Sequence, residues 1–239
     1  MSFRTIEVEY DPPGAIIRLN RPDKRNALSI EMRNEMVDCL AKMEGEQDII
    51  AVLITGNGTA FCAGFDLKEF QNPDIAPVEA IQDSSQRFHV ALTSFPKPLV
   101  AAVNGPAMAG GFDLTVMCDI RLASEKATFG HPELRFGSPV LYGLLKEVVG
   151  GGMARDLCLS GRTIDAVEAY RIGLISKVTQ PDRLMEESRI MLEEICKSPL
   201  EALIREKALI MESASKALEE ATSSEGQSFV DIIREGMKR

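Results

Sequence analysis

Apolar positions along this chain fall into two rhythms, one of strands and one of helices. Residues 3–10 and 15–20 flank the turn Asp11-Pro12-Pro13-Gly14, which predicts two strands joined by a short connection. Leu28, Met32, Met36, Leu40 and Met43 then recur at the spacing of one helix face. Ser29 stands ahead of that stripe as an N-cap with Glu31 in the first turn, so a helix follows with its methionines in the core. Residues 49–55 and 99–103 are apolar with little alternation, as expected of strands covered on both faces. Between them, residues 72–77 read as a loop around Pro73 and Pro77, and residues 81–95 as a helix closed before Pro96. Residues 111–117 make a short apolar helix, and residues 119–123 and 128–129 further short strands.

Beyond Gly161 the signals turn helical. Residues 165–171 form a helix ended by Gly173, and residues 182–197 are amphipathic. Ser198-Pro199-Leu200-Glu201 is a capping box with proline at the first helical position, which starts a long helix. Strand, strand and helix thus recur without a sequence repeat over residues 1–160, and a helical region occupies 161–239.

Two stretches share one design: an apolar β-like run, a glycine-rich turn and the start of an apolar helix. In the first, residues 49–56 lead to Phe61-Cys62-Ala63-Gly64-Phe65-Asp66-Leu67. In the second, residues 98–105 lead to Met108-Ala109-Gly110-Gly111-Phe112-Asp113-Leu114. Such turns present backbone N–H groups at a helix N-terminus, where the dipole favours negative charge. Two of them converging on one point would form an oxyanion hole.

Composition narrows the field. With 239 residues the chain can bury a sizeable core as one large domain. A formal charge of −9 counts against a nucleic-acid or anionic-membrane partner, which needs a basic face. The first ten residues hold Glu7 and Glu9 and no apolar segment, no run approaches a membrane span, and the closing Lys238-Arg239 is no peroxisomal address, so a cytoplasmic location is expected. Cys39, Cys62, Cys118, Cys158 and Cys196 are scattered without a C-x-x-C pair, which argues against a disulfide framework or a zinc site. Cys62 lies beside the first glycine turn, which makes it the candidate for a reactive thiol, although burial as a small hydrophobe is the expected fate. Of the two histidines, His89 reads as structural, and His131 stands close enough to Glu133 to orient it; no metal motif is formed.

Six segments carry a family resemblance: Asn26-Ala27-Leu28; Phe61 to Leu67; Asn104-Gly105-Pro106-Ala107 with Gly110-Gly111; Cys118-Asp119-Ile120-Arg121; Phe129-Gly130 ahead of Pro132-Glu133; and Gly161-Arg162 ahead of Ala166 and Ala169. Collinear from Val8 to Lys207, they resemble the crotonase superfamily, the enoyl-CoA hydratases and isomerases. The resemblance implies an α/β fold, a spiral of repeated ββα units followed by a C-terminal helical segment for trimerisation, assembled as a homotrimer or dimer of trimers. It implies an acyl-CoA substrate and no separate cofactor, coenzyme A being part of the substrate.

The same resemblance implies site residues. The oxyanion donors are the N–H groups of Phe65 and Gly110, and the acid–base pair is Asp113 and Glu133. Coenzyme A falls to Lys24, Arg25, Ala27 and Leu28 in one segment and to Ala63, Phe65, Asp66, Leu67 and Lys68 in the other, with Ala27 meeting the adenine, and Gly110 is assigned to the acyl-CoA as well. Asp113 departs from the family's usual glutamate by one methylene, which draws the carboxylate back by roughly 1.5 Å. Dienoyl-CoA isomerases share an aspartate there but need a further one where this chain has Leu141. The loop after Gly137 is shorter than in hydratases and leaves the acyl specificity open. The C-terminal segment at 235–239 stops short of the stretch that in relatives often reaches a neighbour's coenzyme A. Hydration of a 2-enoyl-CoA is the leading expectation. The alternatives are a Δ3,Δ2-enoyl-CoA isomerase using Glu133 alone and a noncatalytic acyl-CoA binding homologue.

Overall fold

The computed structural model describes residues 3–71, 76–138 and 140–213. In chain order the elements are β1 (Ile6–Asp11), β2 (Gly14–Leu19), α1 (Ile30–Gly45), β3 (Ala51–Gly56), α2 (Leu67–Gln71), α3 (Val78–Thr93), β4 (Leu99–Val103), β5 (Ala107–Met108) and α4 (Gly110–Met117). Next come β6 (Ile120–Ser124), β7 (Thr128–Gly130), α5 (Tyr142–Ser160), β8 (Thr163–Asp165), α6 (Ala166–Arg171), β9 (Lys177–Thr179), α7 (Leu184–Cys196) and α8 (Leu200–Ser213). Local chemistry explains several of the ends. Ser29 Oγ accepts the Met32 N–H at the start of α1, and Asp165 accepts the Glu168 N–H at the start of α6. Gly173, at φ 77°, closes α6 in the left-handed conformation.

One sheet of six strands runs β1-β2-β3-β4-β6-β9, antiparallel at the β1–β2 hairpin and parallel elsewhere. A smaller sheet runs β5-β7-β8. Its line continues through two isolated parallel bridges, Leu28 to Phe65 and Cys62 to Ala107. Each circuit of the chain therefore lays the segment leaving the large sheet beside the equivalent segment of the circuit before it. This is the ββα spiral, and it sets the two glycine turns side by side.

The central strands β3 and β4 of the large sheet are buried on both faces, which is why they read as unbroken apolar runs. Val52, Ile54, Leu99, Ala101 and Val103 pack with the α1 methionines. Their alternates Ala51, Leu53, Val100 and Ala102 face Leu184 and Leu192 of α7. Among the described residues no helix is long and apolar enough to cross a membrane.

The structure departs from the sequence reading in two places. The segment beyond Gly161 is not purely helical: β8 pairs with β7 and β9 with β6, so a boundary at residue 160 falls between α5 and a strand of the small sheet. Residues 142–160, to which the apolar pattern assigns no element, form α5, kinked where Gly150 takes φ 76° and burying Leu144, Leu145, Ala154 and Leu157. The readings at 72–75, at Pro139 and beyond residue 213 lie outside the described residues.

Candidate active site

The second glycine turn is built by strand register. Met108 of β5 pairs with Gly130 of β7, and Ala109 N–H donates to Gly130 O at 2.9 Å. That pairing aligns the C-terminal ends of the two strands and brings together the residues just beyond them: Gly110 and Asp113 after β5, His131 and Glu133 after β7. Ala109 holds φ 50°, an uncommon value for a residue with a side chain. Intrahelical bonding in α4 begins with Phe112 and Asp113 N–H, both donating to Ala109 O, so the Gly110 N–H lies ahead of the ladder at the positive end of the helix. All eight residues of α4 are buried.

The first turn is held against the second. Met108 N–H donates to Cys62 O at 2.9 Å. A methyl group added at Gly111 would lie 2.2 Å from that oxygen, so only glycine allows the approach. A Cβ at Gly64 would come within 3.3 Å of Gly110 N, and one at Gly110 within 3.3 Å of the Phe65 ring. Phe65 and Gly110, named as donors from sequence, are thus direct neighbours.

Asp113, on the first turn of α4, is buried, and Glu133 sits in the one-turn helix Pro132–Phe136 after β7. His131 lies between them. Its Nδ1 is 2.9 Å from Glu133 Oε1 and its Nε2 is 3.8 Å from Asp113 Oδ1, the first a hydrogen bond and the second too long for one. Ligand-type atoms of the three all lie within 4.8 Å of one another. Sequence spacing gives no sign of that cluster, because β5–β7 pairing creates it. The His131 ring packs against Phe112 with centroids 4.7 Å apart and planes tilted by 30°, which restricts its rotation. Glu133 Oε2 is buried and has no hydrogen-bond partner among the described residues.

The two segments assigned to coenzyme A run side by side. Ala63 N–H donates to Arg25 O, Leu28 N–H to Gly64 O and Asp66 N–H to Leu28 O. Lys24, Arg25, Leu67 and Lys68 are exposed along this seam, and Ala27 and Ala63 are half-buried. Two of the assigned residues have other work. Leu28 is wholly buried with both backbone groups engaged, and Asp66 pairs with Arg21 at 2.8 Å. Arg21 carries no signal in the sequence; its Nη1 also donates to Ala27 O at 2.5 Å, joining both segments through one side chain. Asn26, at φ 56° and fully buried, ties the segment to Asn57, Ala60 and Phe61 carbonyls. Cys62 is no reactive thiol: burial pushes its pKa up to about 12, and Sγ lies 3.2 Å from Asn26 O.

These features match a known family. The sequence model for enoyl-CoA hydratase/isomerase matches residues 14–239. The chain belongs to the enoyl-CoA hydratase/isomerase family. It is 36% identical to a probable enoyl-CoA hydratase of Rhizobium meliloti over 99% of this chain and 95% of that one. It is 31% identical to the short-chain-enoyl-CoA hydratase of Clostridium acetobutylicum, covering 96% and 89% of the two chains. Among solved structures, an enoyl-CoA hydratase/isomerase from Pseudoalteromonas atlantica superposes with a TM-score of 0.87 at 32% identity, covering 95% of this chain and 91% of the other. Membership accounts for the crotonase spiral and for the pairing of two glycine turns. The reaction has to be argued from the site itself, since one fold carries several chemistries.

Proposed function

We propose that this enzyme adds water across the double bond of a 2-enoyl-CoA thioester. The observation that carries the reading is the placement of Asp113, His131 and Glu133 within 4.8 Å of one another, one helical turn from Gly110 and its neighbour Phe65. The thioester oxygen would sit between the Phe65 and Gly110 N–H groups, which bind it more tightly as negative charge develops. Glu133 would give its proton to C2, while Asp113 holds the water whose hydroxyl joins C3. The proton left from that water returns to Glu133, so the water is consumed and the enzyme regenerated. The exposed cations Lys24, Arg25 and Lys68 would meet coenzyme A phosphates along the seam of the two segments.

One observation favours a second reading, a Δ3,Δ2-enoyl-CoA isomerase. Glu133 Oε2 is buried without a partner among the described residues, which suits a single carboxylate shuttling a proton between carbons. Incubation with crotonyl-CoA separates the readings: hydration removes the conjugated-thioester absorbance and adds the mass of one water. A 3-enoyl-CoA converted with no change in mass would establish the isomerase, and binding without either conversion would establish a noncatalytic homologue.

A homotrimer or dimer of trimers belongs to the same reading. Its support is the apolar surface at Leu159, Val167 and Tyr170, which a cyclic assembly would cover. Light scattering at micromolar concentration tests it, and a stable monomer would refute it.

A further inference from the structure

Arg33 on α1 heads the largest side chains that are fully buried among the described residues, at 0% exposure. Its Nη1 donates to Leu28 O at 2.6 Å, and its Nε and Nη2 donate to Ser84 Oγ of α3 at 3.1 and 2.9 Å. Glu69 Oε2 lies 3.6 Å from Nη2, and Glu69 in turn accepts the Ile30 N–H. The guanidinium carbon stands 4.7 Å from the centroid of the Phe65 ring, a cation–π contact.

Leu28 is the backbone clamp on the first turn, since its N–H donates to Gly64 O and its carbonyl accepts the Asp66 N–H, on either side of Phe65. The Phe65 ring in turn abuts Gly110. A buried guanidinium costs more desolvation than an aliphatic side chain of similar volume, so packing alone gives no reason for the charge. What the charge does supply is directional: a planar cation facing an aromatic ring while its fork donates to two elements at once, which lysine cannot reproduce.

We propose that Arg33 is a positioning residue for the oxyanion site: by gripping Leu28 O and the Phe65 ring it fixes the peptide at Phe65 and, through the ring, its spacing from Gly110. The inference rests on the reading of Phe65 and Gly110 as the donor pair.

The test compares full-length wild type with Arg33→Met, Arg33→Lys, Phe65→Leu and Arg33→Met/Phe65→Leu. For crotonyl-CoA hydration, Arg33→Met should lower kcat by roughly 10- to 100-fold with KM changed less than about 3-fold, as expected when donor geometry fails and substrate binding persists. Arg33→Lys should melt closer to wild type yet recover little of kcat. Adding Phe65→Leu to Arg33→Met should cost far less than Phe65→Leu costs alone, because both act through one contact. Amide exchange in the unliganded protein gives a readout that needs no turnover: Arg33→Met, or Arg33→Lys should the first not fold, should speed exchange in peptides spanning 62–67 and 108–112 and leave β3 and β4 unchanged. Absence of turnover in wild type would refute the hydratase reading, while the exchange pattern would still decide the role of Arg33. Wild-type kcat in folded Arg33→Lys, additive losses in the double variant, or exchange raised uniformly or not at all would overturn the proposal.

Discussion

His131 Nδ1 lies 2.9 Å from Glu133 Oε1, and this contact joins a ring that is 1% exposed to the carboxylate that the hydratase reading makes the proton carrier. Packed against Phe112, the ring has little freedom, and its hydrogen bond restrains the Glu133 carboxylate. His131→Leu should therefore lower kcat by about 10- to 100-fold, within the range general acid–base catalysis supplies. His131→Gln, which keeps a polar group able to reach Glu133, should recover part of that loss. Steady-state kinetics on both variants checks this, and equal activity in His131→Leu and wild type would remove His131 from the mechanism.

The two carboxylates separate hydration from isomerisation. Glu133→Gln should cut turnover at least ~100-fold with little change in substrate binding, since it removes the exchangeable proton and keeps the shape. Asp113→Asn discriminates: a hydratase that holds its water there should also be crippled, whereas an isomerase relying on Glu133 should retain most of its rate. Asp113→Glu should preserve or raise hydration if the shorter side chain merely loosens the water. Full hydratase activity in Asp113→Asn would end the two-carboxylate mechanism.

Much of this site is legible in the sequence, because the turns are local motifs and strand pairing brings them together in order. Phe65 and Gly110 are neighbours, and Asp113 and Glu133 lie in one cluster that begins a helical turn away. The pairing of His131 with Glu133 is legible from their spacing of two residues, whereas the approach of Asp113 to both depends on the Met108–Gly130 register, which no local pattern encodes. Arg21 and Arg33 belong to none of the motifs singled out in the sequence, and tertiary contacts with Asp66, Ser84 and Phe65 reveal their work. α5 escapes a reading by pattern because Gly143, Gly150, Gly151 and Gly152 lower helix propensity, and packing of Leu145, Ala154 and Leu157 overrides that. β8 and β9 span three residues each, too short for a period to show.

Adjacent glycines at the second turn should fail differently. A Cβ at Gly111 meets backbone, Cys62 O at 2.2 Å, which cannot yield without parting the two turns, so Gly111→Ala should cost a few kcal/mol of stability and lower the melting temperature sharply. At Gly110 the neighbour is the Phe65 ring at 3.3 Å, which can tilt, so Gly110→Ala should fold and lose activity through the displaced ring. Gly110→Pro, in any folded fraction, should be inactive because the N–H itself is gone. Wild-type turnover in folded Gly110→Pro would exclude that N–H as a donor.

Acid stability should carry the mark of His89. Burial, with the Arg33 charge second, pulls its pKa down to about 4, and its Nε2 is buried without a hydrogen-bond partner among the described residues. Above the ordinary histidine pKa of about 6.5, both folded and unfolded chains hold it neutral and the folded state bears no cost. Between about 6.5 and about 4 the unfolded chain takes up a proton that the folded chain refuses, so stability falls as pH falls. Below that window both states are protonated and the loss stops growing. The full loss is about 3 kcal/mol, because each pH unit separating the folded and unfolded pKa values is worth about 1.36 kcal/mol. Urea unfolding from pH 7 to pH 4, at fixed protein concentration so that any assembly contributes equally, should show His89→Gln losing less stability than wild type across that window. Carboxylates elsewhere titrate in both proteins and cancel in the comparison. Parallel curves would mean that His89 protonates as readily in the folded protein as in the unfolded one, and that the space around its ring admits water.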